Sequence, residues 1–274
     1  MTGDSLEVTA LSDVGNVRQF NEDSVAVDAD NGILALADGM GGHRAGEVAS
    51  RLATEILMDG LTAAVAGFRP NMHQHAPLLA VEQSINRANR AIIEAGRADV
   101  KFRGMGTTLA LAVFYDDQVT LAHVGDSRIY RVRDNRLQLL TRDDSLLRDQ
   151  VELGLISAAE ANQSHNRSLV TRALGLADTV APHIAQDDAQ PGDVYLVCSD
   201  GLNDLVDDDD IELIVTSLRA NLPLAAQVLV QAAKDNGGID NVSVILARVR
   251  EAFPAGHPGW FTRLFDQLRR FWRP

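Results

Sequence analysis

Residues 107–140 read TTLALAVFY-DD-QVTLAHV-GDS-RIYRVR-DN-RLQLL. The runs on either side of Asp116-Asp117 are apolar and carry β-branched and aromatic residues, the composition of a strand. The same pattern repeats at once, with strand 128–133, a turn at Asp134-Asn135 and strand 136–140. Strands joined by two residues run antiparallel, because a parallel partner needs a crossover of a dozen residues or more. This stretch therefore argues against a doubly wound parallel sheet.

Upstream, strands are predicted near 6–12, 23–29 and 32–37, and a helix from about Gly46 with Val48, Leu52, Ile56 and Leu57 on one face. Residues 66–76 read as a loop. A second helix runs from Pro77, a favoured first-turn residue, to Arg97, with Leu78, Ile85 and Ile92 inward. Downstream, residues 141–175 are polar and broken, with short helical pieces at 151–155 and 158–162. A strand at 194–198, helices at 211–220 and 224–234, and a strand at 242–249 complete the pattern. Hairpins interspersed with helix pairs give an α+β chain, antiparallel sheets with helices on their outer faces.

The 274 residues suit one large domain with a short appendage. With 38 acidic against 25 basic residues, net charge −13, the chain lacks the broad basic footprint of a nucleic-acid binder. One cysteine, Cys198 in an apolar strand, excludes an internal disulfide framework and points to a reducing compartment. Residues 1–7 lack an apolar core for a signal peptide, and no apolar run approaches the roughly 20 residues of a membrane span. A cytoplasmic protein is expected.

Five acidic positions share one context, the end of an apolar run or a tight turn. They are Glu22-Asp23; Asp38 in Ala37-Asp38-Gly39-Met40-Gly41-Gly42-His43; Asp126 in Gly125-Asp126-Ser127-Arg128; Asp200 in Ser199-Asp200-Gly201; and Asp240 in Gly238-Ile239-Asp240-Asn241. An Asp-Gly pair alone is ordinary turn chemistry. Repeated at strand ends, carboxylates are held rigidly yet within reach, and with carbonyls they suit hard cations such as Mg²⁺ and Mn²⁺.

In these motifs the chain resembles the bacterial protein phosphatase 2C (PPM) family. Ser12-Asp13-Val14-Gly15-Asn16-Val17-Arg18 with Asn21-Glu22-Asp23, Gly104-Met105-Gly106-Thr107-Thr108 and Asp240-Asn241-Val242-Ser243 join the motifs above in the family's order over about residues 5–250. The resemblance implies a four-layer α-β-β-α sandwich, two antiparallel sheets flanked by helix pairs, with Mn²⁺ or Mg²⁺ in a cleft at one end. It implies that Asp38 bridges two ions, with the Gly39 carbonyl and Glu22 on one, Asp200 and Asp240 on the other, and Asp23 acting through water. Asp126 with Asp200 would take a weaker third ion. The implied activity is hydrolysis of phosphoserine and phosphothreonine in proteins by metal-activated water, opposing bacterial Ser/Thr kinases. Arg18 would clamp phosphate and His43 would act as general acid; without the resemblance, each reads first as a surface residue. A binding-only relative would lack ligands, and every expected carboxylate is present; the motifs do not separate proteins from small phosphoesters.

Asp144 stands where many bacterial relatives carry histidine, and is expected to be an exposed loop aspartate. Residues 146–170 match the family's flap beside the cleft. Asp207–Asp210 read as a helix N-terminus rather than a cation site, and His73 and His75 as surface-loop residues. The phosphatase domain is expected to span 1–250. Residues 251–274 form a linker and a short amphipathic helix with Trp260, Phe261, Phe265, Phe271 and Trp272 beside Arg263, Arg269, Arg270 and Arg273. Two readings stay open there: docking of 258–273 to the inner membrane face or a partner protein, and folding back on the domain.

Overall fold

The computed structural model describes residues 5–41, 44–68, 75–157, 160 and 169–251. Eleven strands form among them: β1 (Leu6–Asp13), β2 (Asp23–Asp28), β3 (Ile33–Met40), β4 (Gly106–Thr107), β5 (Leu109–Tyr115), β6 (Gln118–Val124), β7 (Arg128–Arg133), β8 (Arg136–Leu139), β9 (His183–Asp188), β10 (Val194–Cys198) and β11 (Val242–Val249). The helices are α1 (Ala45–Val65), α2 (His75–Ala98), α3 (Leu146–Glu152), α4 (Asp200–Asn203), α5 (Asp208–Leu218) and α6 (Leu222–Asp235). One sheet runs β1-β11-β10-β7-β8; the other runs β2-β3-β5-β6-β9, with β4 beside β3. Every named strand pair is antiparallel, including β5–β6 and β7–β8, whose two-residue turns allow nothing else. At Asp134 and Asn135 φ is 52° and 59°, the left-handed pair that a two-residue hairpin turn demands.

Strand alternation builds the layers. In β3, Ile33, Ala35 and Ala37 pack toward α1 and α2, while Leu34 and Leu36 enter the space between the sheets. In β10, Val194, Leu196 and Cys198 face α5 and α6, and Tyr195 and Val197 face inward. Buried on both faces, such strands must be continuously apolar, as they are. Three apolar layers thus separate four structural ones, the α-β-β-α sandwich the motifs implied.

Some expectations need correction. The face that α1 buries is the small-residue stripe Ala45, Ala49, Ala53 with Leu57 and Leu61; Val48, Leu52 and Ile56 flank it half-buried. Small side chains let the helix lie close on the sheet. Strand β9 was missed because its polar sequence HIAQDD carries no alternation. Helix α3 starts at Leu146 rather than Val151, since Ser145 caps it by accepting the Arg148 N–H. His75 opens α2 instead of lying in a loop. The first turn of α5 holds Asp208, Asp209 and Asp210, as read. Residues 158–159 and 161–162 of the second short helical piece, His73 and the segment 252–274 lie outside the described residues, so those readings rest on sequence alone.

Candidate metal centre

Register gathers the acidic motifs. Asp23 pairs with Asp38 across β2 and β3, Leu109 with Val124, Cys198 with Arg128, and Asp13 with Val242. Asp23, Asp38, Asp126, Asp200 and Asp240 therefore all stand at the same end of the sandwich, with Glu22 just ahead of β2. Asp200 does not end a strand; it is the first residue of α4, one position after the Ser199 N-cap.

Each carboxylate has a local mount. Asp38 N–H donates to Thr108 Oγ1 at 3.0 Å, and its carbonyl accepts from Thr108 N–H at 2.9 Å. Ser199 Oγ donates to Asp23 Oδ2 at 2.9 Å and accepts the Ser243 N–H at 3.0 Å. Asn241 Oδ1 accepts the Glu22 N–H at 2.8 Å, while its amide nitrogen donates to the Val14 and Phe20 carbonyls. The start of α1 presses on the site: a Cβ on Gly46 would stand 2.7 Å from Glu22 Oε1, and one on Gly39 would stand 2.2 Å from the Gly46 carbonyl oxygen. No other residue fits that contact.

The cluster is electrostatically costly. Burial pushes Asp38 well above the usual carboxylate range, and the charges of Asp23, Asp200, Asp126 and Asp240 add to it. Asp200 is raised likewise, first by burial and then by Asp126, Asp204, Asp240 and Asp23. Burial lifts Asp23 to about 6 against the hydrogen bonds of Ser243 and Ser199. Burial and then Asp143 lift Asp126 to about 7. Glu22 is raised by burial, partly offset by Arg18 and by the Gly46 and Glu47 amides. Among the described residues, Asp23 Oδ1 and Asp200 Oδ1 are buried with no hydrogen-bond partner. An orphaned buried carboxylate oxygen calls for a proton or a cation. The donor set is all oxygen, which fits Mn²⁺ or Mg²⁺.

Arg18 lies at the rim, about half exposed, and donates to Asp240 Oδ2 at 2.7 Å. That bond, with the charges of Glu22 and Asp200, raises its pKa further. His43 falls outside the described residues. Its neighbour Arg44 places its guanidinium 4.7 Å over the Phe20 ring. Asp144 overturns its expectation: only 1% of its side chain is exposed, because Arg172, His183 and the Gly125 amide surround it. The supporting roles of Ser199, Asn241 and Thr108 were also missed; their presence inside the motifs was the available signal. Cys198 is buried and its thiol is pushed up to about 12 by burial, an inert strand residue as read.

A four-layer sandwich with a buried oxygen-donor cluster at one end defines a protein built to hold divalent cations. The model of the family described as protein phosphatase 2C matches residues 16–232, and the chain belongs to that family. It is 40% identical over 245 residues to the serine/threonine protein phosphatase PstP of Mycobacterium tuberculosis, covering 89% of this chain and 45% of that protein. It therefore spans less than half of that relative. It is 34% identical to the protein phosphatase PhpP of Streptococcus pneumoniae, covering 90% of this chain and 98% of that one. The crystal structure of the Mycobacterium tuberculosis phosphatase superposes with a TM-score of 0.81 at 38% identity, covering 90% of this chain and 99% of that chain. The PstP catalytic domain in complex with two manganese ions superposes with a TM-score of 0.79 at 37% identity, with 90% and 99% covered.

Proposed function

We propose that this chain hydrolyses phosphoserine and phosphothreonine in proteins, opposing bacterial Ser/Thr kinases, at a centre of Mn²⁺ or Mg²⁺. The observation that carries the reading is the pair of orphaned buried oxygens on Asp23 and Asp200 inside a cluster of raised carboxylates. Asp38, the Gly39 carbonyl, Glu22, Asp200 and Asp240 would hold two ions, with Asp23 behind them and Asp126 with Asp200 at a third. When bound, the ions supply the Lewis acidity that activates water and offsets the charge of phosphate.

The chain's own residues do the rest. Arg18 is long, half exposed and already aimed at the cluster, so its planar guanidinium can pair with two phosphate oxygens at the mouth. His43 would deliver a proton to the departing serine or threonine oxygen, a poor leaving group as alkoxide. Thr108, Ser199 and Asn241 hold the carboxylates' chain segments in place. A net charge of −13 would otherwise repel an anionic substrate, so local reversal of sign by cations is a condition of binding.

The test is phosphate release from a phosphothreonine peptide and from an aryl phosphate, each with Mn²⁺, Mg²⁺ and chelator, beside Asp38→Asn. Release should need metal and fall at least about 100-fold in Asp38→Asn, the scale of losing a principal charge-stabilising group. Folded protein that releases nothing with either ion would move the chain to a binding role.

A further inference from the structure

Asp144 and its neighbour Asp143 face opposite ways. Asp143 pairs with Arg128 at 2.7 Å, and Arg128 with the Tyr130 hydroxyl, beneath the first sheet's rim. Asp144 turns inward. Its Oδ2 accepts the Gly125 N–H at 3.0 Å, and its Oδ1 accepts Arg172 Nη2 at 2.7 Å and His183 Nε2 at 3.1 Å. Its backbone is tied as well: Asp144 N–H donates to the Gly125 carbonyl at 2.9 Å, and Thr171 N–H donates to the Asp144 carbonyl at 2.7 Å. One residue thus joins the turn before Asp126, the start of α3, the chain at Thr171–Arg172 and strand β9.

The connection continues toward the carboxylates. Gly125 has φ +101°, and a Cβ there would stand 2.8 Å from Thr108 Cγ2, so the turn is wedged against Thr108. Thr108 Oγ1 lies 2.7 Å from Ser127 Oγ and accepts the Asp38 N–H. On the other side, His123 Nε2 donates to the Arg142 carbonyl at 2.6 Å, and its ring stacks on His183 at 4.8 Å and 15°. His123, Asp144 and His183 do not converge on a separate cation position. Parallel rings send their lone pairs side by side instead of toward one point, and both Nε2 atoms are already hydrogen-bonded.

We propose that Asp144 is a positioning residue that locks the two short stretches Ser145–Leu147 and Val170–Arg172 to the Asp126 turn, so that cation occupancy at Asp126 and the ordering of those two stretches are coupled. Its kinetic consequence rests on the phosphatase reading; its binding consequence does not. With the full chain, Mn²⁺ binding is measured by calorimetry and amide exchange by mass spectrometry, for the unaltered protein, Asp144→Asn, Arg172→Gln and the double variant. Asp144→Asn should weaken the weakest Mn²⁺ site about ten-fold, the usual effect of losing a group that orients a ligand. Saturating Mn²⁺ should slow exchange at Leu146, whose N–H donates to the Leu169 carbonyl, and at Thr171, whose N–H donates to the Asp144 carbonyl, in the unaltered chain but not in Asp144→Asn. The double variant should lose no more than Asp144→Asn alone, since both act through one contact. KM for a phosphopeptide should rise several-fold while kcat on an aryl phosphate at saturating Mn²⁺ holds. If Asp144→Asn does not fold, Arg172→Gln should show the same changes in smaller measure. Superimposable isotherms, or equal slowing of those amides in the unaltered chain and the variants, would overturn the proposal. Coupling without any turnover would keep it and sink the phosphatase reading.

Discussion

Ser199 does three things with a few atoms. Its hydroxyl donates to Asp23, accepts from the Ser243 amide, and its backbone caps α4 one residue before Asp200. Ser199→Ala removes the donor to a buried carboxylate and strands a buried N–H. Each loss is worth about 1–3 kcal/mol when unreplaced, so we expect about 2 kcal/mol of destabilisation in urea unfolding with chelator present. Part of that should return at saturating Mn²⁺, because a cation answers the carboxylate and leaves only the amide unpaired. A variant as stable as the parent would mean that water replaces the hydroxyl at no cost. Asp144 shows the opposite side of residue-scale reading. Its partners Arg172 and His183 lie 28 and 39 positions away, so nothing in the local string Asp143-Asp144-Ser145 announces a buried charge.

At the scale of elements, the joint between α1 and β3 decides whether Glu22 reaches the cluster. Gly46→Ala tests it, because helix propensity and sterics pull in opposite directions. Alanine is the better helix former, by at most about 1 kcal/mol and less in the first turn, where Gly46 sits, but its methyl would stand 2.7 Å from Glu22 Oε1 and from the Gly39 carbonyl carbon. Overpacking of that kind costs about 1–3 kcal/mol, so the steric term should win. We expect lower thermal stability and at least about ten-fold weaker Mn²⁺ binding, read by calorimetry. A stabilised variant with unchanged Mn²⁺ affinity would show that α1 can shift without disturbing Glu22. The hairpins at Asp116-Asp117 and Asp134-Asn135 were legible because turn chemistry is local. The buried face of α1 was not, because its choice of alanines over Val48 and Leu52 depends on how close β3 lies.

For the whole molecule, the raised carboxylates make stability depend on pH. Each binds its proton more tightly folded than unfolded, so that contribution is complete below the unfolded value near 4. It is lost as pH climbs through about 6 for Asp23 and about 7 for Asp126, and the raised Asp38 and Asp200 lose theirs in the same direction. Chelated protein should therefore become less stable between pH 5 and pH 8, by an amount on the order of a few kcal/mol. The stabilisation added by Mn²⁺ should grow over the same range, since the cation replaces protons. A flat urea midpoint across that range in chelator would contradict the electrostatic account. The class of fold, the antiparallel pairing and the acidic motifs were legible in the chain, because turns, apolar runs and strand-end glycines are encoded within a few consecutive residues. Long-range packing settled the rest: which oxygens are orphaned, that β9 edges the second sheet, that Arg18 lies on Asp240, and that Asp144 is buried at a junction. Those depend on residues far apart in the chain meeting at one end of the sandwich, where burial and neighbouring charge, not residue type, set the chemistry.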